Sequence, residues 1–318
     1  MAGLVLTREA APVAYLGQIA ALATALCWVF TALCFTRAGA RVGSETVNHN
    51  RLWLALVLNT VIHTVAFGQP LPLDADGTRW LYLGLSGLIG FLFGDTLLLE
   101  AFVRIGPQPA LLVMTLAPVL GALLAWVFLG EALTAGQMIA IGLTLAGIAT
   151  VIGGHARRPS GGGVAGAVGG LSRRELVGYL FAGGGALGQA VGLYLSKLGL
   201  QGDFSPVSAN VIRVTAATVG ITVIALAGGK IRQHVARMRD RTAALELAGG
   251  AVLGPVVGVI LSLVAVQHAP LGIASTIMQL SPVLMIPINF LLFRERASLS
   301  AIAGTLLAVT GAALLFWL

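Results

Sequence analysis

Long apolar segments follow one another along the whole chain, and they constrain its fold more than any other feature. Breaker residues divide the sequence into ten such segments, at 12–36, 50–68, 79–103, 107–129, 134–154, 174–198, 207–228, 243–266, 270–293 and 298–317. A stretch of about 20 apolar residues is long enough to cross a bilayer as a helix. Only 10% of the side chains are charged, whereas soluble proteins carry about 25%. The sequence therefore predicts an all-α membrane protein with ten transmembrane helices.

The two halves of the chain repeat one another. The matches at an offset of 164 residues are Met114 with Met278, the Pro-Val-Leu sequence at 118–120 with that at 282–284, Glu131 with Glu295, and Gly147 with Gly311. At an offset of 162 residues, Asn48 and Arg51 match Asn210 and Arg213. We therefore predict a first five-helix repeat at 12–154, a Gly/Ser/Arg-rich linker at 155–173 and a second repeat at 174–317.

Small residues spaced four apart form a stripe on helix 3 and again on helix 8. The stripes consist of Ser86, Gly90 and Gly94, and of Gly250, Gly254 and Gly258. Such stripes let the backbone of another helix approach closely in a membrane, where the hydrophobic effect gives little drive for helix association. Each stripe therefore predicts a tight helix crossing.

Basic residues predict the orientation of the two repeats. Five helices are an odd number, so the second repeat must enter the membrane from the opposite side, as an inverted repeat. If loops alternate between a side A and a side B, with the N-terminus on side B, side A receives fourteen basic residues: Arg37, Arg41, Arg104, Arg157, Arg158, Arg173, Arg174, Lys230, Arg232, Arg237, Arg239, Arg241, Arg294 and Arg296. Side B receives Arg8, Arg79 and Lys197. The positive-inside rule then places side A, with the linker and the 229–242 loop, in the cytoplasm and both termini outside.

The ten helices, the duplication, the Pro-Val-Leu centres of helices 4 and 9 and the acidic residues Glu131 and Glu295 that follow them resemble the drug/metabolite transporter superfamily, in its EamA-like branch. The resemblance covers residues 14–152 and 176–316. It implies alternating access in a bacterial-type inner membrane, often with export of amino acids, other small metabolites or toxic compounds. Several members of that family are drawn with both termini in the cytoplasm, so the orientation that the charges predict departs from it.

Asp95 is the strongest candidate for a functional residue, because it is the only acidic residue deep within a predicted span. A carboxylate near the middle of a bilayer is costly unless it is protonated, paired or hydrated. We interpret Asp95 as a proton relay or as a contact for a substrate amine; a neutral packing group is the alternative. Glu100 precedes Arg104 by four residues, which predicts a salt bridge near the helix end first and a contact for a cationic substrate second.

Prolines at the centres of helices 4 and 9 predict the substrate cavity. Pro118 and Pro282 each remove a backbone hydrogen bond, and interrupted helices near the midplane accompany the substrate site in transporters built from inverted repeats. The neighbours predicted to line this cavity are Met114, Thr115, Met278 and Gln279, with Trp28 and Thr31 on helix 1 and Gln189 and Tyr194 on helix 6. Ordinary proline kinks and aromatic packing are the alternatives.

Two arginines begin equivalent helices. Arg51 and Arg213 are expected to extend towards lipid headgroups, as arginines near helix ends commonly do. A gate or a carboxylate-binding role for Arg213 is the second interpretation, because this residue is several positions inside helix 7.

Other classes of protein fit the sequence less well. Gly84-Leu85-Ser86-Gly87 has the form used by intramembrane serine proteases, but Ser86 belongs to the small-residue stripe and only His63 could serve as its base. We therefore predict that the chain is not an enzyme and needs no metal or cofactor. The net charge of +7 reflects loops between apolar segments rather than a basic face for nucleic acid. The predicted partners are a small-molecule substrate, the lipid bilayer and protons, and a passive facilitator on the same scaffold remains the alternative.

Overall fold

A computed structural model of the chain describes residues 10–129, 134–156, 171–202, 204–269, 274, 277–294, 297–314 and 317. Within these ranges every regular element of secondary structure is a helix. The elements are α1 (Ala10–Val42), α2 (Ser44–Phe67), α3 (Gly77–Gly87), the π-helix π1 (Leu88–Gly94), α4 (Asp95–Ile105), α5 (Pro107–Val113), α6 (Leu116–Leu129), α7 (Ala135–Ala156), α8 (Arg173–Gly199), α9 (Pro206–Ala227), α10 (Ile231–Arg237), α11 (Arg241–Ala251), the π-helix π2 (Val252–Gly258), α12 (Val259–His268), α13 (Ser281–Phe293) and α14 (Leu299–Leu314).

Seven stretches of helix in the described part of the chain are long and apolar enough to cross a membrane. They include the whole of α2, α8 and α9, whereas α13 and α14 are apolar but shorter. The prediction of an all-helical membrane protein is therefore confirmed, while the total of ten spans stays a prediction. Glu131, Glu295 and most of the predicted linker lie outside the described residues.

The predicted helix 4 is interrupted before Pro118 rather than at it. A turn at Met114 and Thr115 separates α5 from α6, and Pro118 lies in the first turn of α6. In the second repeat, Pro282 likewise lies in the first turn of α13. The first N–H groups of a helix have no partner within that helix, so proline at this position removes no hydrogen bond. The prediction that each proline interrupts the middle of a continuous helix was therefore wrong in position. Each proline lies just after a break between two helical segments.

Two π-helices occupy equivalent positions in the two halves. π1 begins at Leu88 and π2 at Val252, and each has seven residues. These positions differ by 164 residues, the offset found in the sequence. A π-helical turn is wider than an α-helical turn and leaves its backbone carbonyls less regularly paired. Pro255 lies inside π2, where the missing N–H of proline is accommodated by this irregular turn.

The packing pairs helices across the two halves. α8 lies along α3, π1 and α4, and in the matching arrangement α1 lies along α11, π2 and α12. α2 packs against α9, and α7 packs against α14. The helices of each half therefore find their main partners in the other half.

The small-residue stripes lie at these crossings, as predicted. A Cβ atom on Gly94 would stand 3.3 Å from the Cα of Gly188 on α8. A Cβ atom on Gly254 would stand 2.7 Å from a side-chain carbon of Thr31 on α1. Glycine at these positions therefore lets the helix axes approach to a distance that a side chain would prevent.

Candidate functional site

Two asparagines bind the carbonyl groups of the π-helices. Asn48 on α2 donates its Nδ2 hydrogen bonds towards the carbonyls of Phe91 and Leu92, at 3.4 and 3.3 Å. Asn210 on α9 donates to the carbonyl of Pro255 at 2.9 Å. Both asparagines are fully buried. Phe91 and Pro255 are themselves equivalent in the repeat, so α2 and α9 are anchored to the π-helices in the same way.

Asp95 forms an ion pair at the end of π1. Its Oδ2 accepts a hydrogen bond from Nη2 of Arg51 at 2.7 Å, and the side chains are 19% and 4% exposed, respectively. Arg51 also donates to Oδ1 of Asn48 at 2.8 Å and to the carbonyl of Phe91 at 3.3 Å. The carboxylate predicted from the sequence is therefore paired, and its partner comes from the neighbouring helix.

Arg213 brings a second positive charge to the same place. Its guanidinium carbon lies 4.4 Å from the centroid of the Phe91 ring, and its charge interacts with that of Asp95. The residue is 5% exposed. Its Nε is buried and finds no hydrogen-bond partner among the described residues. We call Arg51, Asp95 and Arg213 the charged centre.

The charged centre has an excess of one positive charge. Two guanidinium groups face one carboxylate, and arginine stays protonated at physiological pH. Each ion taken from water into a protein interior costs several kcal/mol unless charge and hydrogen bonds compensate for it. Asp95 and the Phe91 ring supply part of this compensation for Arg213. The remaining charge of Arg213 has no protein counter-ion of its own among the described residues, because Asp95 already pairs with Arg51.

The prediction that Arg51 and Arg213 extend towards lipid headgroups was wrong. Arg51 and Arg213 each lie seven residues after the first residue of their helix, about 10 Å along the axis at 1.5 Å per residue. From there an arginine side chain can reach either the headgroups or the interior, and both turn inward. The sequence did contain a signal: the two arginines match in the repeat, whereas the residue equivalent to Asp95 is Val259.

Glu100 pairs as its spacing predicted. Its Oε1 lies 2.7 Å from Nη2 of Arg104. Its second oxygen accepts a hydrogen bond from the hydroxyl of Ser44, at the start of α2. Both side chains of the ion pair are about 30% exposed. This pair lies at the helix end next to the 42–44 turn, and a contact between Glu100 and a substrate stays a prediction.

The residues predicted to line a cavity around helices 4 and 9 lie apart from the charged centre. Thr115 is fully buried and donates its hydroxyl hydrogen bond to the carbonyl of Leu112. Met278 is buried in an apolar cluster that Trp28 of α1 also contacts. Met114, Pro118 and Gln279 are half-buried, and Pro282 is buried. Their role as cavity residues stays a prediction.

The remaining predicted lining residues divide between two helices. Thr31 is buried on α1 against π2, and its hydroxyl oxygen has no hydrogen-bond partner among the described residues. On α8, Gln189 is half-buried, whereas Tyr194 is 38% exposed. A lining role for these residues also remains a prediction.

A pocket of about 310 Å³ lies beside the charged centre, between α4 and α9. Its lining is mostly apolar: Leu92, Phe93, Thr96, Leu97, Ile221, Ile224, Ala225 and Gly228, with Glu45, Lys230 and His234 at one end. Thr96 accepts a hydrogen bond from Asn48 at 2.6 Å, so the wall of the pocket is joined to the charged centre. At the polar end, Lys230 pairs with Glu45 at 2.8 Å, and burial lowers the pKa of His234.

Ser86 and His63 do not meet. The Ser86 hydroxyl bonds to the Gly192 carbonyl and to Ser196, at 2.6 and 2.7 Å. His63 is engaged elsewhere, by Ser208 at 2.9 Å and by the carbonyl of Gln69 at 2.7 Å. The serine and histidine required by the protease hypothesis therefore belong to two separate hydrogen-bonded groups, which supports the helix-packing role of Ser86.

Comparisons with known proteins agree with this fold. The model of the EamA-like transporter family matches residues 15–153 and again residues 176–317. One solved chain, described only as the crystal structure of a protein, is 18% identical, with a TM-score of 0.60; the alignment covers 94% of this chain and 95% of that one. No curated protein matches the sequence. The structural likeness concerns the fold alone, but the family model covers most of the chain in two copies. The chain belongs to the EamA-like transporter family.

Proposed function

We propose that this chain is a secondary active transporter that exports a small metabolite, such as an amino acid or an amphipathic toxic compound, by proton-coupled alternating access. Membership of the EamA-like family makes it a membrane transporter of the drug/metabolite type. The charged centre is the observation that carries the finer proposal. It joins α2 and π1 of one half to α9 of the other, and charged groups at this depth in membrane proteins mark substrate or proton paths.

The equivalent hydrogen bonds that tie α2 to π1 and α9 to π2 support alternating access. We propose ten spans arranged as two inverted five-helix repeats, 12–154 and 174–317, joined by the linker at 155–173. α2 with π1 and α9 with π2 then form equivalent hinges related by the inversion. Rocking of one half against the other would expose the charged centre first to one side of the membrane and then to the other.

Loss of the Asp95 carboxylate is expected to abolish the proton dependence of transport. We would reconstitute the protein in proteoliposomes, screen labelled amino acids, nucleosides and organic cations, and compare wild type with Asp95→Asn under an imposed pH gradient. The double variant Arg51→Gln/Asp95→Asn is the matched control, because it lacks the carboxylate but keeps the net charge of the wild-type centre. Unchanged rates and unchanged pH dependence in both variants would disprove the relay.

A passive facilitator is the second candidate, favoured by the apolar pocket beside the charged centre. Counterflow distinguishes the two. A carrier loaded with unlabelled substrate accumulates labelled substrate transiently against its gradient, whereas a pore only equilibrates it. We expect saturable uptake with counterflow.

We also propose that the end of the bundle with the 42–44 turn and α10 faces the cytoplasm. This end holds contacts between basic loops and α1 or α2, such as Arg237 with the carbonyl of Val42 at 3.0 Å. In a background with Cys27 and Cys34 replaced by alanine, an impermeant maleimide is expected to label Asp74→Cys in intact cells. Arg239→Cys should react only after permeabilisation. The reverse pattern would place both termini in the cytoplasm.

A further inference from the structure

Arg213 is the member of the charged centre that lacks a counter-ion of its own in the described part of the chain. Arg51 is bonded to Asp95, Asn48 and the Phe91 carbonyl. Arg213 is equally buried, yet its Nε has no partner among the described residues, and its one neighbouring carboxylate already pairs with Arg51. We propose that Arg213 binds the carboxylate of a monoanionic substrate. The inference rests on the proposed transport function and names the substrate class of the same centre.

The charge of the centre selects a monoanion. Two arginines and one aspartate sum to one positive charge, so a single carboxylate makes the loaded centre neutral. A dianion such as inorganic phosphate or sulfate would leave a net negative charge within the bilayer, at the desolvation cost that applies to any unpaired buried ion. A cationic solute or a neutral one, including a zwitterionic amino acid, would leave the excess charge uncompensated, so the inference narrows the proposed metabolites to those with a net charge of minus one.

Glycines adjoin the guanidinium group of Arg213 on the side of π1 and α8. A Cβ atom on Gly90 would stand 3.8 Å from Nη2 of Arg213, with the Cα of Gly192 at 3.9 Å and the carbonyl oxygen of Gly188 at 4.0 Å. All three neighbours are glycines, so no side chain from them fills the volume next to the guanidinium. A guanidinium presents parallel N–H groups that match the two oxygens of a carboxylate, while the Phe91 ring covers one of its faces.

Paired probes that differ only in charge test the proposal. Purified full-length protein in detergent would be titrated with acetate, benzoate and 3-phenylpropionate and with the amide of each acid, and followed by calorimetry and by thermal unfolding. We expect at least one acid to bind wild type tenfold or more tightly than its amide, and inorganic phosphate and sulfate to bind more weakly than that acid. Arg213→Gln should lose this preference, and Arg213→Lys should keep a reduced preference.

The unfolding temperature without ligand is a second measurement. Because Arg213→Gln removes a buried charge that Asp95 and the Phe91 ring compensate only in part, this variant should unfold at or above the temperature of wild type. Destabilisation as large as that of Asp95→Asn would instead identify Arg213 as a structural counter-ion of Asp95 and overturn the proposal. So would equal binding of each acid and its amide by wild type, or tighter binding of phosphate than of any carboxylate.

Binding and transport can fail separately. Arg213-dependent binding of a carboxylate without any movement across proteoliposomes would refute the proposed transport and leave the binding site intact. Saturable transport of a neutral or cationic compound by a protein that does not distinguish acids from amides would refute the carboxylate site alone.

Discussion

Gly87→Ala should destabilise the protein strongly, although alanine favours helices. A Cβ atom at position 87 would stand 2.0 Å from the carbonyl oxygen of Arg213 and 2.9 Å from its Cα. These are backbone atoms, so no side-chain rotation relieves the overlap, and α3 must move away from α9. Overpacking of this kind costs about 1–3 kcal/mol, occasionally more, and we expect the upper end of that range. Thermal unfolding of the purified protein, followed by size-exclusion chromatography, measures it.

Gly84→Ala is the matched control, because Gly84 lies one turn earlier in the same helix. The nearest atom to its added Cβ would be the Cβ of Ala216 at 3.7 Å, an ordinary contact. This variant should unfold at or slightly above the temperature of wild type, since alanine is a better helix former than glycine by about 1 kcal/mol. Equal stability of the two variants would mean that α3 and α9 do not approach as closely as the structure shows.

Removal of Asp95 should cost far more than removal of Arg51. Asp95→Asn leaves two buried guanidinium groups without a counter-charge, and breaking a buried ion pair in this way costs about 3–5 kcal/mol. Arg51→Gln should cost less, because the charge of Arg213 remains to interact with Asp95. The measurement is the unfolding temperature of each single variant and of Arg51→Gln/Asp95→Asn.

The double variant closes the thermodynamic cycle. It holds one arginine without a carboxylate, whereas Asp95→Asn holds two, so the stability of the double variant should exceed that of Asp95→Asn. The coupling energy of the pair is the difference between the double variant and the sum of the singles. Equal and additive effects of the two single substitutions would show that Asp95 does not offset the charge of both arginines.

Much of the fold was accessible from the sequence, because apolar length and small-residue spacing report directly on membrane helices. The stripes at Gly94 and Gly254 lie at close helix crossings, as their spacing predicted. The π-helices were not predictable in this way. A π-helical turn includes one extra residue without changing the apolar composition of the segment, so hydropathy does not reveal it. The prolines of helices 4 and 9 marked breaks correctly but indicated their position several residues too late.

Only part of the charged centre could be predicted from the sequence. Asp95 was identified by its depth, since a carboxylate at that depth needs a physical explanation. Arg51 was assigned to the headgroups because position along a helix fixes the height of the Cα but not the direction of a long side chain. The comparison of the halves held the missing information: two matched cations and an unmatched anion imply an imbalance of charge. Only the packing of α2 against α9 brings these groups together.

The hydrogen bonds from the asparagines to the π-helices bear on how far the two halves can diverge in sequence. Asn48 and Asn210 bind backbone oxygens, so the residue that carries the oxygen is free to change: it is phenylalanine at 91 and proline at 255. The side chains at positions 91 and 255 can therefore be substituted without loss of the hydrogen bond to the backbone, provided that each asparagine remains. The two halves already differ in this way one turn further on, where Asp95 follows π1 and Val259 follows π2, so one shared scaffold carries a buried charge in one half alone.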